Sequence, residues 1–273
     1  MRLLVSGVRK NARRLATWLT FGLLTVLLAL ILIVVGASGG GAVGSGAQPS
    51  TLTLVTFPGA YDSILSFILG LGGLLAVIYG AAIAGSEWTW GTLKNAIARG
   101  ESRSRYILVS FASVAIVIAV GVLIAFVVGV VAALLGATLA HVSTSGLTDG
   151  ATLARLPATF VKGWFAIIEE GALGFAIATV ARSQLAGIGV GIALYFGEAF
   201  GAFFLPNIIK YLPFNVATAV VASDSTTGGG GFGGGGAPTA ILDPNSALVL
   251  VTVWLIGSLV VAALFTERAE ITA

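Results

Sequence analysis

Residues 85–106 read GSEWTWGTLKNAIARGESRSRY, a polar and basic stretch between two long apolar runs. It contains Lys94, Arg99, Arg103 and Arg105 together with two Trp and two Glu residues. The whole chain of 273 residues is 57% hydrophobic and only 9% charged, whereas a soluble domain carries about 25% charged residues. The composition therefore predicts an integral membrane protein without a separate soluble domain.

Cysteine is absent from the chain, and His141 is the single histidine. Disulfides, thiol chemistry and Cys-ligated metals are therefore excluded, and a His-based metal site is not expected. We predict no metal site and no resident cofactor in this chain.

The apolar runs on either side of residues 85–106 belong to a set of six. A membrane-spanning helix needs about 20 predominantly apolar residues, so we predict an all-α integral membrane fold with six transmembrane helices. The third run is longer than required, which indicates tilt or protrusion from the bilayer. The fourth and fifth are separated by three residues and predict a tight helical hairpin. The six runs cover residues 15–36, 63–84, 106–136, 163–181, 185–205 and 247–265.

The distribution of Lys and Arg predicts the orientation. With the N-terminus inside, eleven of the fourteen basic residues fall in cytoplasmic segments, and only Arg155, Lys162 and Lys210 fall outside. Cytoplasmic segments carry an excess of Lys and Arg, so we predict that both termini are cytoplasmic. An even number of spans agrees with this, and we expect the protein in the cell (cytoplasmic) membrane.

Four segments outside the spans have distinctive compositions. Residues 1–14 mix five basic with several apolar residues, which is typical of a cytoplasmic amphipathic helix at the membrane surface or of a basic segment that only sets topology. Outer loops 37–62 and 223–240 are Gly-rich, and GGGGFGGGG at 228–236 has the composition of a flexible linker. Residues 206–222 are apolar but interrupted by Pro, and they predict an outer interfacial or re-entrant helix.

The polar stretch itself has helical periodicity. No Pro occurs between residues 87 and 101, and Gly100 provides a helix stop. An ordinary basic loop with Trp at the membrane interface and a cytoplasmic docking helix both fit this pattern. In the docking interpretation the apolar face anchors the helix to the spans through Trp90, Leu93 and Ile97, and Thr92, Asn95 and Arg99 form the polar face.

The same stretch resembles a known family signature. The order of Glu87, the run GTLK at 91–94, Arg99 and Ser104-Arg105 ahead of a long span resembles the signature of type-2 ABC transporter permeases. The run GTLKN is similar to that of the bacitracin- and lantibiotic-type exporter permeases. The resemblance covers the whole chain, since the order of spans and the outer element between spans five and six also match.

The resemblance implies the permease subunit of an ATP-binding cassette exporter that moves a hydrophobic or amphipathic substrate. Segment 85–105 would be the coupling segment that docks on a separate ATPase. The implied partners are two ATPase copies, which bind ATP and Mg²⁺, a second permease chain in a homodimer or heterodimer, and the lipid bilayer, with no nucleic acid. The residues implied to couple to the ATPase are Glu87, Gly91, Thr92, Leu93, Lys94, Asn95, Arg99 and Arg105.

The chain contains no G-x-x-x-x-G-K-[ST] motif, so it is not expected to hydrolyse ATP or to act as an enzyme by itself. An ATPase-independent transporter or channel is the alternative hypothesis. That class would show inverted repeats or helices broken at the midplane.

Three carboxylates fall inside the predicted spans. Glu169 and Glu170 lie about 10 Å from the outer end of span four, and Glu198 lies at a similar depth in span five. Ionisable residues inside a membrane are costly and indicate function by default. We predict an outer-leaflet acidic site for a cationic or amphipathic substrate. The alternatives are carboxylates that are buried and hydrogen-bonded within the bundle, or spans that start deeper than the apolar runs indicate.

Small residues recur at four-residue spacing in two spans. Gly121, Ala125 and Gly129 lie in span three, and Gly187 and Gly191 lie in span five. Such spacing favours close helix packing. The family resemblance places span five near a dimer interface, and packing within the chain is the alternative.

Overall fold

The computed structural model of the chain describes residues 2–39, 51–98, 100–221 and 242–269. Within these ranges the fold is all-helical and contains no strand. Six of the helices are long and apolar enough to cross a membrane, which confirms the predicted number of spans and indicates a multi-pass membrane protein. The helices are α1 (Arg2–Ala12), α2 (Leu15–Ala37), α3 (Gly59–Thr89), α4 (Thr92–Ala98), α5 (Arg103–Leu139), α6 (Gly150–Ala181), α7 (Gln184–Phe204), α8 (Pro206–Ile209), α9 (Pro213–Val221) and α10 (Pro244–Arg268).

Several helices extend beyond the apolar runs that predict them. The largest difference is in α6, which begins at Gly150 instead of residue 163. Asp149 starts this helix because its carboxylate accepts the backbone N–H of Thr152 at 2.9 Å. The first turns carry Arg155 and Lys162, so hydropathy alone misses them although they are helical.

Helix α3 lies at the centre of the bundle and packs most extensively against α6. Glycines bring the two backbones together: a Cβ on Gly80 would overlap the carbonyl oxygen of Gly171, and a Cβ on Gly174 would overlap that of Val77. Such close approach increases van der Waals contact where lipid supplies no hydrophobic driving force between helices. The α3–α6 pair is therefore the rigid core of the fold.

The predicted small-residue positions also pack within the chain. Gly121 lies against the ring of Phe21 in α2, and Gly129 lies against Leu28. In α7, Gly187 faces Ala178 of α6 and Gly191 faces Val77 of α3. These glycines serve intrachain packing, and the position of a dimer interface stays a prediction.

The segment after α7 does not cross the bundle. Its two short helices, α8 and α9, are separated by residues 210–212, and α9 packs against α6 and α10. Trp254 of α10 fastens the connection by donating its indole N–H to the carbonyl of Tyr211 at 3.1 Å. An apolar element that returns without spanning agrees with the interpretation of residues 206–222.

The predicted Gly-rich outer loops are described only in part. Within residues 37–62, a 3-10 turn covers Thr51–Leu54 and α3 begins at Gly59, so the loop is shorter than predicted. Residues 40–50 and the whole predicted loop 223–240 lie outside the described residues.

Candidate functional site

The coupling segment is divided by a turn. Helix α3 continues to Thr89, Gly91 adopts a left-handed conformation with φ +63, and α4 starts at Thr92. A left-handed φ is accessible to glycine at low cost, so Gly91 forms a turn that separates α3 from α4 instead of continuing the helix. Gly100 is also left-handed, with φ +87, in agreement with the predicted stop.

The turn changes which residues anchor the segment. Leu93 is 1% exposed and forms the anchor of α4 on the bundle, with Ile97 half-buried beside it. The prediction that Trp90 belongs to this anchor is wrong, because Trp90 precedes Gly91 and is therefore not on the same helix. Its ring is 63% exposed and lies 5.0 Å from the guanidinium carbon of Arg14, a cation–π distance.

The carboxylate of Glu87 is the centre of the site. It is buried at the end of α3, and its Oε1 accepts from Lys10 Nζ at 2.6 Å and from Arg14 Nη2 at 3.3 Å. Its Oε2 accepts from Tyr106 Oη at 2.6 Å and from the hydroxyl of Thr92. Charge-assisted hydrogen bonds of this kind are roughly twice as strong as neutral ones. One carboxylate therefore joins α1, the α1–α2 link, α4 and α5. We call Glu87 and its four donors the Glu87 node; the donors are Lys10, Arg14, Thr92 and Tyr106.

The N-terminal helix is fastened to the bundle beside the node. Asn11 is buried and donates its side-chain N–H to the hydroxyl of Ser113 in α5 at 2.9 Å. Arg14 Nη1 donates to Ser86 Oγ at 2.6 Å, so Arg14 binds two consecutive residues of α3. Helix α1 is thus docked on the spans.

The predicted polar face is only partly available to a partner. Thr92 turns inward to Glu87, whereas Asn95 is exposed on α4. Arg105 is exposed as well, and its ion pair with Glu101 is loose at 3.8 Å. Arg99 and the side chain of Lys94 lie outside the described residues.

Other chain segments meet at the same end of the bundle. Arg103 Nη1 donates to the carbonyl of Glu267 at 3.0 Å and to that of Ala269 at 2.7 Å, and so holds the end of α10. At the α6–α7 turn, the guanidinium carbon of Arg182 lies 5.3 Å from the ring of Trp88. The N-terminal helix α1, the end of α10 and the coupling segment are therefore on one side of the molecule.

Sequence reasoning missed four members of this arrangement: Lys10, Arg14, Arg103 and Tyr106. Lys10 and Arg14 were visible only as part of a basic N-terminal segment. A useful signal is the position of Glu87 three residues after an apolar run that ends at residue 84, because a carboxylate so close to a span needs a cationic partner if the helix continues and buries it.

A comparison with protein families assigns the chain to one of them. A family profile described as "Protein of unknown function (DUF2705)" matches residues 43–266. The chain belongs to this family. The matched region runs from the loop after α2 almost to the end of α10, and thus includes the Glu87 end of α3 and the coupling segment. A comparison with curated proteins finds no match, so the function has to be argued from the site.

The three intramembrane glutamates are buried, at 0% exposure for Glu169, 2% for Glu170 and 5% for Glu198. Glu198 is hydrogen-bonded to the start of α9. Both carboxylate oxygens of Glu169 and Oε2 of Glu170 have no hydrogen-bond partner among the described residues. Burial places these groups inside the bundle, and a role in substrate binding stays a prediction.

Proposed function

We propose that this chain is the membrane subunit of an ATP-binding cassette exporter with a type-2 permease fold. Two such chains pair, and two copies of a separate ATPase, which bind ATP and Mg²⁺, dock on the coupling segment 85–105. Closure of the ATPase subunits pushes on α4 and switches the membrane domain between inward and outward access. A hydrophobic or amphipathic substrate moves across the cell membrane in this cycle.

The observation that carries the proposal is the Glu87 node. A docking helix transmits force only if it is rigidly connected to the spans behind it. Thr92, the first residue of α4, and Tyr106 of α5 both donate to Glu87, and Leu93 is fully buried against the bundle. A displacement of α4 therefore acts on α3 and α5 together, while Lys10 brings α1 into the same unit.

The basic residues at the Glu87 end of the bundle support a cytoplasmic position for that end. Lys10, Arg14, Arg103, Arg105 and Arg182 all lie here, and positive residues favour the cytoplasmic side. An ATPase is also cytoplasmic, so the orientation supports docking at Asn95 and its neighbours.

A single-cysteine crosslinking experiment tests the proposal, since the chain has no cysteine of its own. Asn95→Cys is coupled to a maleimide reagent that carries a photoreactive group, and crosslinked proteins are identified by mass spectrometry. We expect an adduct with a P-loop ATPase whose yield changes when ATP is added. Ala154→Cys, at the opposite end of the bundle and also exposed, is the matched control and should give no such adduct.

Two results would overturn the proposal. One is equal crosslinking of the ATPase at Asn95→Cys and Ala154→Cys. The other is transport by the purified chain alone in lipid vesicles, with neither an ATPase nor ATP present, which would favour the ATPase-independent class.

A further inference from the structure

Glu169 and Glu170 lie in the interior of α6 in an environment that offers them little hydrogen bonding. They are 0% and 2% exposed, and both oxygens of Glu169 and Oε2 of Glu170 find no donor among the described residues. The carboxyl of Glu170 is seated directly on Gly73 of α3, where a Cβ would overlap it. An ionised carboxylate without donors in such a place carries the penalty of a buried, unpaired charge.

The described helices that pack against α6 bring no cation to offset that cost, and the basic residues of α6 itself, Arg155 and Lys162, lie nearer its start. Helix α6 packs against α3, α5, α7, α9 and α10. Their bundle-lining segments, which cover residues 63–85, 107–139, 184–204, 213–221 and 244–266, contain no Lys, Arg or His.

The titratable groups that these segments do contribute are few. They are Tyr79 on α3 and Tyr195 and Glu198 on α7, and α5, α9 and α10 contribute none. Glu198 lies on α7, which packs against the helix that carries Glu169 and Glu170. The helices packed against α6 therefore contribute one further carboxylate and two phenols, and none of these supplies a positive charge.

Glu198 occupies a different environment from the pair. Its Oε2 accepts from the backbone N–H of Phe214 at 3.1 Å, from that of Asn215 at 3.2 Å and from Asn215 Nδ2 at 3.1 Å. These donors lie in the first turn of α9, which begins at Pro213. The preceding residue, Leu212, has an apolar side chain and cannot cap the helix. A helix N-terminus favours an anionic acceptor, so Glu198 has donors for a negative charge that Glu169 lacks.

Neighbouring carboxyl groups in contrasting environments divide into one that keeps its charge and one that keeps its proton. We propose that Glu169 and Glu170 form a proton-binding site inside the membrane domain, and that Glu198 is the adjacent carboxylate on the path from the outer side. In the loading step, a carboxylate oxygen forms an O–H bond with the proton that a hydronium ion loses, and the released water remains outside. The O–H bond that forms on Glu198 during the relay breaks again when the proton passes to the pair, so no other net bond change remains.

The depth of Glu198 fits this path. It lies six residues before the last residue of α7, which corresponds to about 9 Å along the helix axis. The described residues contain no group of three or more His, Cys, Asp or Glu side chains that could hold a metal ion, so a proton fits the site better than a metal. The proposed proton site does not depend on whether an ATPase drives transport, and its test requires no ATPase.

Carbodiimide labelling of the full chain in phospholipid vesicles tests the proposal. Dicyclohexylcarbodiimide adds to protonated carboxyl groups in apolar surroundings and leaves a stable N-acylurea that mass spectrometry locates. We expect an adduct on Glu169 or Glu170, with a yield that falls as the pH is raised. The adduct should be lost in the Glu169→Gln/Glu170→Gln double variant and retained in Glu198→Gln. Glu101, which is partly exposed outside the spans, should remain unlabelled and serves as an internal control.

Three outcomes would overturn the proposal. The first is no adduct on the pair at any pH in a protein that elutes as a folded species and retains its helical circular dichroism. The second is labelling of Glu198 alone. The third is suppression of labelling by sodium chloride but not by choline chloride at constant pH, which would assign the site to a metal cation.

Infrared spectroscopy gives a second readout that does not depend on reagent access. Protonated Glu169 or Glu170 should contribute the carbonyl stretch of a carboxylic acid, and this band should decrease in Glu169→Gln, in Glu170→Gln or in both. An unchanged carboxylic acid band in both folded variants would contradict a protonated pair.

Discussion

At the residue scale, Glu87 shows how one side chain organises one end of a membrane protein. The family resemblance marks Glu87 for a role toward the ATPase, but its carboxylate faces the bundle. The reason is long-range: its donors Lys10 and Tyr106 lie 77 and 19 residues away. A single sequence shows the charge and its depth but not which distant residues fold against it.

Glu87→Gln should destabilise the protein, because Lys10 and Arg14 lose their carboxylate partner. We expect a loss of about 2–3 kcal/mol, below the value for a fully buried pair, since Lys10 keeps some access to water. Thermal unfolding in detergent measures the effect. Glu101→Gln is the control because its pair with Arg105 is exposed, and an equal loss in both variants would contradict the role of the node.

Gly73→Ala tests the packing contact between the carboxyl group of Glu170 and Gly73 of α3. A Cβ at this position overlaps the carboxyl group, so we expect a loss of about 1–3 kcal/mol, the usual cost of overpacking. Gly257→Ala, where a Cβ meets no atom within 4 Å, should be neutral or stabilising because Ala favours helix. Adding Glu170→Ala to Gly73→Ala should reduce the Gly73→Ala penalty, and strictly additive effects would show that the two sites do not touch.

At the element scale, the spans were predictable from the sequence and their ends were not. Apolar runs identify all six spans, because lipid requires continuous helices with satisfied backbone groups. The ends depend on local chemistry, as in the Asp149 cap that starts α6 early and the left-handed Gly91 that separates α4 from α3. The missed turn at Gly91 explains the wrong placement of Trp90 on the anchoring face.

Arg103→Gln should loosen the end of α10. The guanidinium donates to the carbonyls of Glu267 and Ala269, two groups that the helix itself leaves without donors. Hydrogen exchange of the last turn of α10 should become several-fold faster, which corresponds to about 1 kcal/mol of local stability. Arg105→Gln is the control, and equal exchange rates in the two variants would rule out this capping role.

Glu198→Ala should loosen the start of α9 in the same way. Its carboxylate replaces the missing cap of that helix through three donors, and removal of a cap costs about 0.5–2 kcal/mol. Hydrogen exchange at Phe214 and Asn215 should accelerate, whereas Glu198→Gln retains an acceptor oxygen and should have a smaller effect. If Glu198→Ala leaves hydrogen exchange at these two amides unchanged, then Glu198 does not cap α9.

At the scale of the whole molecule, one prediction determines whether the Glu87 end can meet an ATPase at all. Because the chain has no cysteine, single cysteines at exposed positions report their side of the membrane through a membrane-impermeant maleimide. Ala154→Cys and Asn245→Cys should react in intact cells. Ala12→Cys and Ser102→Cys should react only after permeabilisation, since the basic end is predicted to be cytoplasmic. The reverse pattern would place the coupling segment outside the cell, out of reach of any cytoplasmic ATPase, and the exporter proposal would then fail although the six-helix fold would remain.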